Sequence, residues 1–214
     1  VPHPRTPSRA VKKLPPATVA IYQDGQLQQR RYWHVDYQSG EQDRRSEQDL
    51  VEELDEKLCE AVRLRLEADV PLGAFLSGGV DSSLIVAMMQ KVGTGNVQTF
   101  TVGFGDPSFD EVSQASEFSQ YLGTQHTDFV SDYDVASLVP KMANHFGEPF
   151  ADSSAIPTFR VAEMTRQQVT VALSGDGGDE VFGGYRRYQA RRWADMFNHL
   201  PDVLHQLCDA GGRR

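Results

Sequence analysis

Cysteine is nearly absent: the 214-residue chain has two, Cys59 and Cys208, 149 positions apart, with no CxxC pair and no neighbouring histidine pair. That spacing suggests no disulfide framework and leaves a zinc site without ligands, so both thiols read as packing residues. Long apolar runs are also missing. None approaches the roughly 20 residues that a membrane helix needs, and Val1-Pro2-His3-Pro4 is not the charged-then-apolar start of a signal peptide. The expectation is a cytoplasmic protein with no membrane partner. Positive charge is scarce. The net charge is −9 and unevenly spread, +4 over residues 1–45, −16 over 46–185 and +3 over 186–214. A strongly acidic middle repels a phosphate backbone, which argues against nucleic acid as a partner and leaves a metal-bridged nucleotide compatible. No GxGxxG occurs, so the usual dinucleotide fingerprint is missing as well.

What is present is an ordinary globular composition: 39% hydrophobic residues, 24% charged residues and 18 glycines exclude fibrous and disordered classes. Five of the 11 prolines fall in residues 1–17, which read as an extended connecting segment. Thr18 to Tyr22 and Leu27 to Trp33 flank Asp24-Gly25, a dipeptide that accepts the positive φ of a tight turn, and predict a hairpin. Ser46 followed by Asp49 resembles a capping box. Leu50, Leu54, Leu58, Ala61 and Val62 then recur at helical spacing and predict an amphipathic helix to about Ala68.

From Pro71 onward, short apolar runs alternate with helical stretches, the pattern of a parallel sheet with crossover helices. Strands are expected at Gly73 to Leu76, Val97 to Val102, Gln125 to Val130 and Val169 to Leu173. Helices are expected at Ser82 to Lys91, Glu111 to Leu122, Tyr133 to His145, Ile156 to Arg166 and Glu180 to about His199. The fold class is therefore α/β, with a central parallel sheet and flanking helices preceded by a β-hairpin and linker.

The sharpest motif is Ser77-Gly78-Gly79-Val80-Asp81-Ser82-Ser83, a glycine turn between the buried run Gly73-Ala74-Phe75-Leu76 and a helix. A strand, a glycine turn and a helix N-terminus together offer free backbone N–H groups and partial positive charge to an anion, and phosphate is the natural ligand. The Gly73-xxxx-Gly78 spacing superficially resembles a Walker loop. Gly79-Val80 stands where its lysine and Ser/Thr belong, however, which disfavours a kinase or GTPase. A second apolar run ends in Leu173-Ser174-Gly175-Asp176-Gly177-Gly178-Asp179-Glu180, a glycine-rich turn bearing three carboxylates. Turns at strand C-termini are where open α/β sheets bind ligands. Three carboxylates beside a phosphate loop imply a divalent cation, and Mg2+ suits hard oxygen ligands shared with phosphate. A solvated acidic turn capping the next helix is the alternative.

The first motif resembles the SGGxDSS pyrophosphate loop of the ATP pyrophosphatases, a group that includes asparagine synthetases, GMP and NAD synthetases and tRNA-modifying enzymes. The second, continuing through Val181-Phe182-Gly183-Gly184-Tyr185, resembles the SG(E/D)GxDE(x)FGGY signature of the asparagine synthetase family. Val11-Lys12-Lys13-Leu14-Pro15-Pro16 and Arg31-Tyr32-Trp33 resemble the link between that family's glutaminase and synthetase domains. Phe100 to Phe104, Phe109-Asp110-Glu111, Leu122 to His126 and Glu148 to Ser154 follow in the family's order.

The resemblance implies an adenine nucleotide α-hydrolase-like fold and ATP-dependent amidation of a carboxylate, by default aspartate to asparagine, through an acyl-adenylate with release of AMP and pyrophosphate. It implies ATP and Mg2+ as cofactors, ammonia and a small carboxylate as partners, and a homo-oligomer as an option. Residues 1–45 are expected to be a linker and hairpin following a glutaminase domain, and 46–214 an ATP-binding synthetase domain that continues further in a longer protein. No cysteine precedes Cys59, so glutamine hydrolysis has no nucleophile in this segment. An RNA-modifying ATP pyrophosphatase, or a catalytically silent nucleotide-binding fragment, are the other readings.

By resemblance, Ser77, Gly79, Asp81, Ser82 and Ser83 cradle pyrophosphate, Phe75, Leu76, Val102 and Gly175 line the adenine and ribose pocket, and Gly78 and Ser174 are further ATP-binding residues. Phe75, Leu76 and Val102 read equally well as core. Asp81 and Asp179 are the implied metal ligands, and Asp81 and Asp176 the implied catalytic carboxylates. Asp176 stands where asparagine synthetases proper carry a glutamate. Asp152, Ser153, Ser154 and Thr158 could hold the acceptor, though a helix cap explains Ser153 or Ser154 as well. His126 reads as a structural histidine, and Arg186, Arg187, Arg191 and Arg192 as a solvated face, with Arg186 or Arg187 the alternative phosphate contacts.

Overall fold

A computed structural model describes residues 3–36, 44–93, 95–103, 111–130, 135–150, 152–188, 190, 191 and 193. Strands β1 (Thr18–Gln23) and β2 (Gln26–Arg31) form an antiparallel ribbon with Thr18 opposite Arg31 and Gln23 opposite Gln26. Asp24 and Gly25 between them have φ of 52° and 77°, the left-handed pair the hairpin requires. Helix α1 (Glu47–Leu66) opens on the predicted box: the Asp49 N–H donates to Ser46 Oγ at 3.1 Å, and the Ser46 N–H to Asp49 Oδ2 at 3.2 Å.

The main body alternates β3 (Leu72–Phe75), α2 (Val80–Val92), β4 (Gln98–Gly103), α3 (Glu111–Leu122), β5 (Gln125–Val130), α4 (Val135–Phe146), α5 (Ala155–Thr165), β6 (Val171–Leu173) and α6 (Gly178–Phe182). Its four strands are parallel in the order β5-β4-β3-β6. The chain therefore builds outward from β3 through β4 to β5, then returns to place β6 on the other side of β3. The order reverses between β3 and β6, and the crevice at such a reversal, beyond the strand C-termini, is where open α/β sheets take ligands.

Strand β4 is buried from Thr99 to Val102, as a strand covered on both faces must be. Ala74, Leu76, Val86 and Met89 join Val62 of α1 in the core, and Phe100 is 1% exposed. Gly73 permits the close pairing of β3 with β4, since a Cβ there would stand 2.7 Å from Phe100 Cε2 and 2.8 Å from the Gln98 carbonyl oxygen.

Three expectations are corrected. The helix expected from Glu180 to about His199 is broken: α6 ends at Phe182 and is capped by Gly183 (φ 69°), where the Gly183 and Gly184 N–H groups close on the Asp179 carbonyl. Residues 186–188, 190, 191 and 193 are helical again, and the remainder of that stretch lies outside the described residues. Paired glycines, one left-handed, stop a helix that side-chain periodicity alone would continue. The N-terminal segment is not extended throughout, because the Lys13 N–H bonds to the Pro4 carbonyl at 3.0 Å and folds residues 4–13 back. The last strand begins at Val171, since the Gln168 and Val169 N–H groups are taken by the Thr165 carbonyl at the end of α5. Phe104, Phe109-Asp110, Tyr133, Ala151, Arg192 and Cys208 lie outside the described residues. Among the described residues no helix is long and apolar enough to cross a membrane.

Removing the Phe100 ring by Phe100→Ala should destabilise the domain by about 3–5 kcal/mol, and Ser46→Ala by about 1 kcal/mol. Urea unfolding followed by circular dichroism measures both, and equal costs would contradict the assignment of Phe100 to the core.

Candidate functional site

The loop after β3 is built by its own small residues. Gly78 has φ 74°, and a Cβ there would stand 2.7 Å from Gln114 Cβ, so both its conformation and the approach of α3 require glycine. Ser82 Oγ lies 2.9 Å from Ser77 Oγ, accepts from the Ser77 N–H at 3.2 Å and reaches the Gly79 carbonyl at 3.2 Å. These bonds hold the turn in shape before any ligand arrives. Gly79 caps α2 without a side chain, so no side-chain oxygen competes for the first N–H groups of the helix.

The loop after β6 lies directly on this turn. A Cβ on Gly175 would stand 2.6 Å from the Ser82 amide nitrogen and 2.7 Å from the Asp81 carbonyl carbon. One on Gly178 would stand 2.5 Å from Asp81 Cγ. The two motifs, about a hundred residues apart in sequence, thus meet backbone to backbone, and the Asp81 carboxylate rests against the start of α6. Within the second loop, Ser174 Oγ donates to Asp176 Oδ2 at 3.0 Å. Tyr185 Oη donates to Glu180 Oε1 at 2.6 Å. That bond pulls the Glu180 carboxyl below its ordinary range and pushes the Tyr185 phenol up to about 12. The Arg187 guanidinium lies over the Tyr185 ring at 4.1 Å.

Both loops open into one cleft of about 1140 Å³. Phe75, Ser77, Gly79, Asp81, Ser82, Ser174, Gly175, Asp176 and Asp179 line it. Leu76 (1% exposed) and Val102 (8%) are buried core instead, and Gly78 and Ser83 lie off the cleft wall. For Leu76 and Val102 the core reading describes their side chains. The three turn carboxylates do not gather into one cluster: among the described residues no group of three His, Cys, Asp or Glu is placed to hold a metal ion. Asp176 is bonded to Ser174 and Glu180 to Tyr185.

The opposite wall comes from α4, α5 and the loop between them. The Phe146 and Phe150 rings stack at 3.9 Å, and the His145 ring meets Phe146 edge-on at 5.1 Å. Asp152 accepts from the Ser154 hydroxyl at 2.7 Å and from its N–H at 2.9 Å, and these bonds lower its carboxyl below the usual range. Asp152, Ser154 and Thr158 line the cleft, whereas Ser153 does not. Sequence reasoning missed Met142, His145, Phe146 and Phe159 in this wall. Their helical spacing is the same as that of core residues, so no sequence signal separates the two. His126 holds Thr99 Oγ1 through Nδ1 at 3.0 Å, part of a hydrogen-bonded chain to Thr124 and Ser119. Burial lowers its pKa, and it takes no part in the cleft wall. Arg186, Arg187 and Arg191 are exposed and off the wall.

The family model described as asparagine synthase matches residues 53–212. A glutamine-hydrolysing asparagine synthetase 1 of Bacillus subtilis is 35% identical over 209 residues, 97% of this chain and 32% of that protein. A protein of Methanocaldococcus jannaschii, provisionally assigned as glutamine-hydrolysing asparagine synthetase 2, is 42% identical over 157 residues, 72% of this chain and 30% of that one. The chain thus spans about a third of the length of the relatives it matches. An ammonia-dependent NAD synthetase structure from Campylobacter jejuni is similar at a TM-score of 0.43 and 14% identity, over 63% of this chain and 60% of that one.

Gly175→Ala should cost about 1–3 kcal/mol through overpacking against α2, read by urea unfolding. A neutral substitution would show that the two loops do not press together. Ultraviolet titration should find one phenol ionising near 12. In Glu180→Gln that phenol should return toward its ordinary value, because the carboxylate acceptor that stabilises its protonated form is gone.

Proposed function

Because the chain belongs to the asparagine synthase family, we propose that it supplies the ATP-activating part of an amide ligase. In this reading a carboxylate oxygen of the acceptor attacks the α-phosphorus of ATP, and the bond from that phosphorus to the bridging oxygen breaks. Pyrophosphate leaves with the electron pair. Ammonia then attacks the acyl carbon of the acyl-adenylate, AMP leaves, and the nitrogen gives up a proton to yield the amide. Aspartate is the default acceptor, and the ammonia comes from a glutaminase domain of the longer protein.

The observation that carries this reading is the contact between the two loops, which puts the uncapped start of α2 and the carboxylates of Asp81 and Asp179 on one cleft. The first backbone N–H groups of α2, which no side chain caps, are suited to the charge that develops on leaving pyrophosphate, because they are already oriented when the reaction begins. Ser77 and Ser82 hold the turn, and Gly175 brings the second strand close enough to share its ligand. Asp81 and Asp179 are the residues that would hold Mg2+. Two hard oxygen donors without a third carboxylate suit an ion that also takes oxygens from phosphate. Mg2+ would neutralise triphosphate charge in a wall that otherwise repels it.

On the facing wall, Asp152, Ser154 and Thr158 offer donors and acceptors to the carboxylate substrate, and Asp176 reaches the cleft between that wall and the phosphate loop. Asp176 is one methylene shorter than the glutamate of asparagine synthetases proper, so its reach bears on which carboxylate is accepted. The acidic cleft favours a metal-bound nucleotide over RNA.

The full-length protein, given MgATP, ammonia and a panel of carboxylates that includes aspartate, should release AMP and pyrophosphate together with an amide. Release of ADP and phosphate instead would refute the reading. In the same assay Asp81→Asn should lower turnover by roughly two to three orders of magnitude while the fold persists, comparable to losing one preorganised charge-stabilising group. Near-normal pyrophosphate release by that variant in Mg2+ would remove Asp81 from the site.

A further inference from the structure

The loop between α4 and α5 forms the cleft wall facing the phosphate turns, and few bonds hold it. Gly147 (φ 65°) reverses the chain at the end of α4. Phe150 stacks on Phe146, and Asp152 holds the Ser154 and Ala155 N–H groups at 2.9 and 3.2 Å. All of these ties join residues at most four positions apart, so they shape the loop without anchoring it to the rest of the domain. Among the described residues one long-range tie is an ion pair 135 residues distant in sequence: Lys13 Nζ donates to Glu148 Oε1 at 2.5 Å. The two side chains are 31% and 30% exposed, so water screens this pair less than one at full exposure.

Lys13 is presented by a formed structure. Thr6 Oγ1 donates to the Val11 and Ser8 carbonyls at 2.7 and 2.9 Å, and the Lys13 N–H bonds to the Pro4 carbonyl. At the other end of the same segment, the Tyr32 N–H bonds to the Ala17 carbonyl at 2.8 Å and ties it to the ribbon. The segment that leads into the domain thus reaches the loop between α4 and α5 through the Lys13 side chain.

We propose that Lys13 is a positioning residue for the acceptor side of the cleft, acting through Glu148 on the loop that carries Phe150, Asp152 and Ser154. This rests on the functional reading above, in which that loop receives the carboxylate substrate. Lys13 is not among the residues that line the cleft, and the contact of Gly175 with α2 is made without it. Its effect therefore falls on acceptor binding and spares MgATP.

Pyrophosphate release by the full-length enzyme, with acceptor and MgATP varied in turn, tests this together with amide hydrogen exchange. Lys13→Ala should raise KM for the acceptor about fivefold, on the scale of losing one partly exposed ion pair. Both kcat and KM for MgATP should stay within about twofold, the pattern of lost ground-state positioning. Exchange at Ser154 and Ala155 should quicken while that of β4 stays constant. Lys13→Arg should restore both readouts, Glu148→Gln should reproduce the loss, and the double variant Lys13→Ala/Glu148→Gln should be no worse than either single one. An unchanged acceptor KM, or equal changes for acceptor and MgATP, overturns the proposal, as does faster exchange without a KM effect. Failure of the unmutated enzyme to release pyrophosphate with any acceptor would overturn the functional reading instead, and is visible before any variant is made.

Discussion

The site depends on one close approach, that of the Gly175 backbone to the first turn of α2. With 2.6 Å between a would-be Cβ and the Ser82 nitrogen, any side chain at this position would push the two strand-end loops apart. The consequences run outward from that contact. Gly178 can then lie against the Asp81 carboxylate, α6 starts beside α2, and the second loop lines the same cleft as the first. The local bonds of each loop, Ser77 with Ser82 and Ser174 with Asp176, shape the turns separately but cannot bring them together.

What makes the approach possible is strand order. Because β6 returns to the free side of β3, two loops separated by about a hundred residues leave neighbouring strands in the same direction. A parallel sheet sends every strand C-terminus to one edge, and the reversal between β3 and β6 opens a crevice there. The buried strand β4 and the fully buried Phe100 fix the position of β3, so Phe100 bears on the geometry of the cleft without lining it.

The two walls of the cleft are held by different physics. The side built by the two glycine loops is backbone against backbone, short-range and intolerant of added atoms. The facing wall is held by stacked rings, an Asp152 turn and one ion pair from the N-terminal segment, contacts that yield more readily.

Much of this was legible in the amino-acid sequence. The Asp24-Gly25 turn, the Ser46 capping box, the alternation of strand and helix and the two glycine loops are local patterns, written in residues a few positions apart, and the backbone obeys them. The break at Gly183 was missed because helical periodicity of side chains masked a backbone signal. The roles of Leu76 and Val102 stayed open in sequence because a strand-end apolar residue looks the same whether it fills a core or faces a ligand. The contact of Gly175 with α2, the place of Phe146 and Phe150 in the cleft wall and the reach of Lys13 to Glu148 were settled only by the tertiary structure. Each joins or divides groups according to strand order and helix packing, and no spacing along the chain encodes a distance across it.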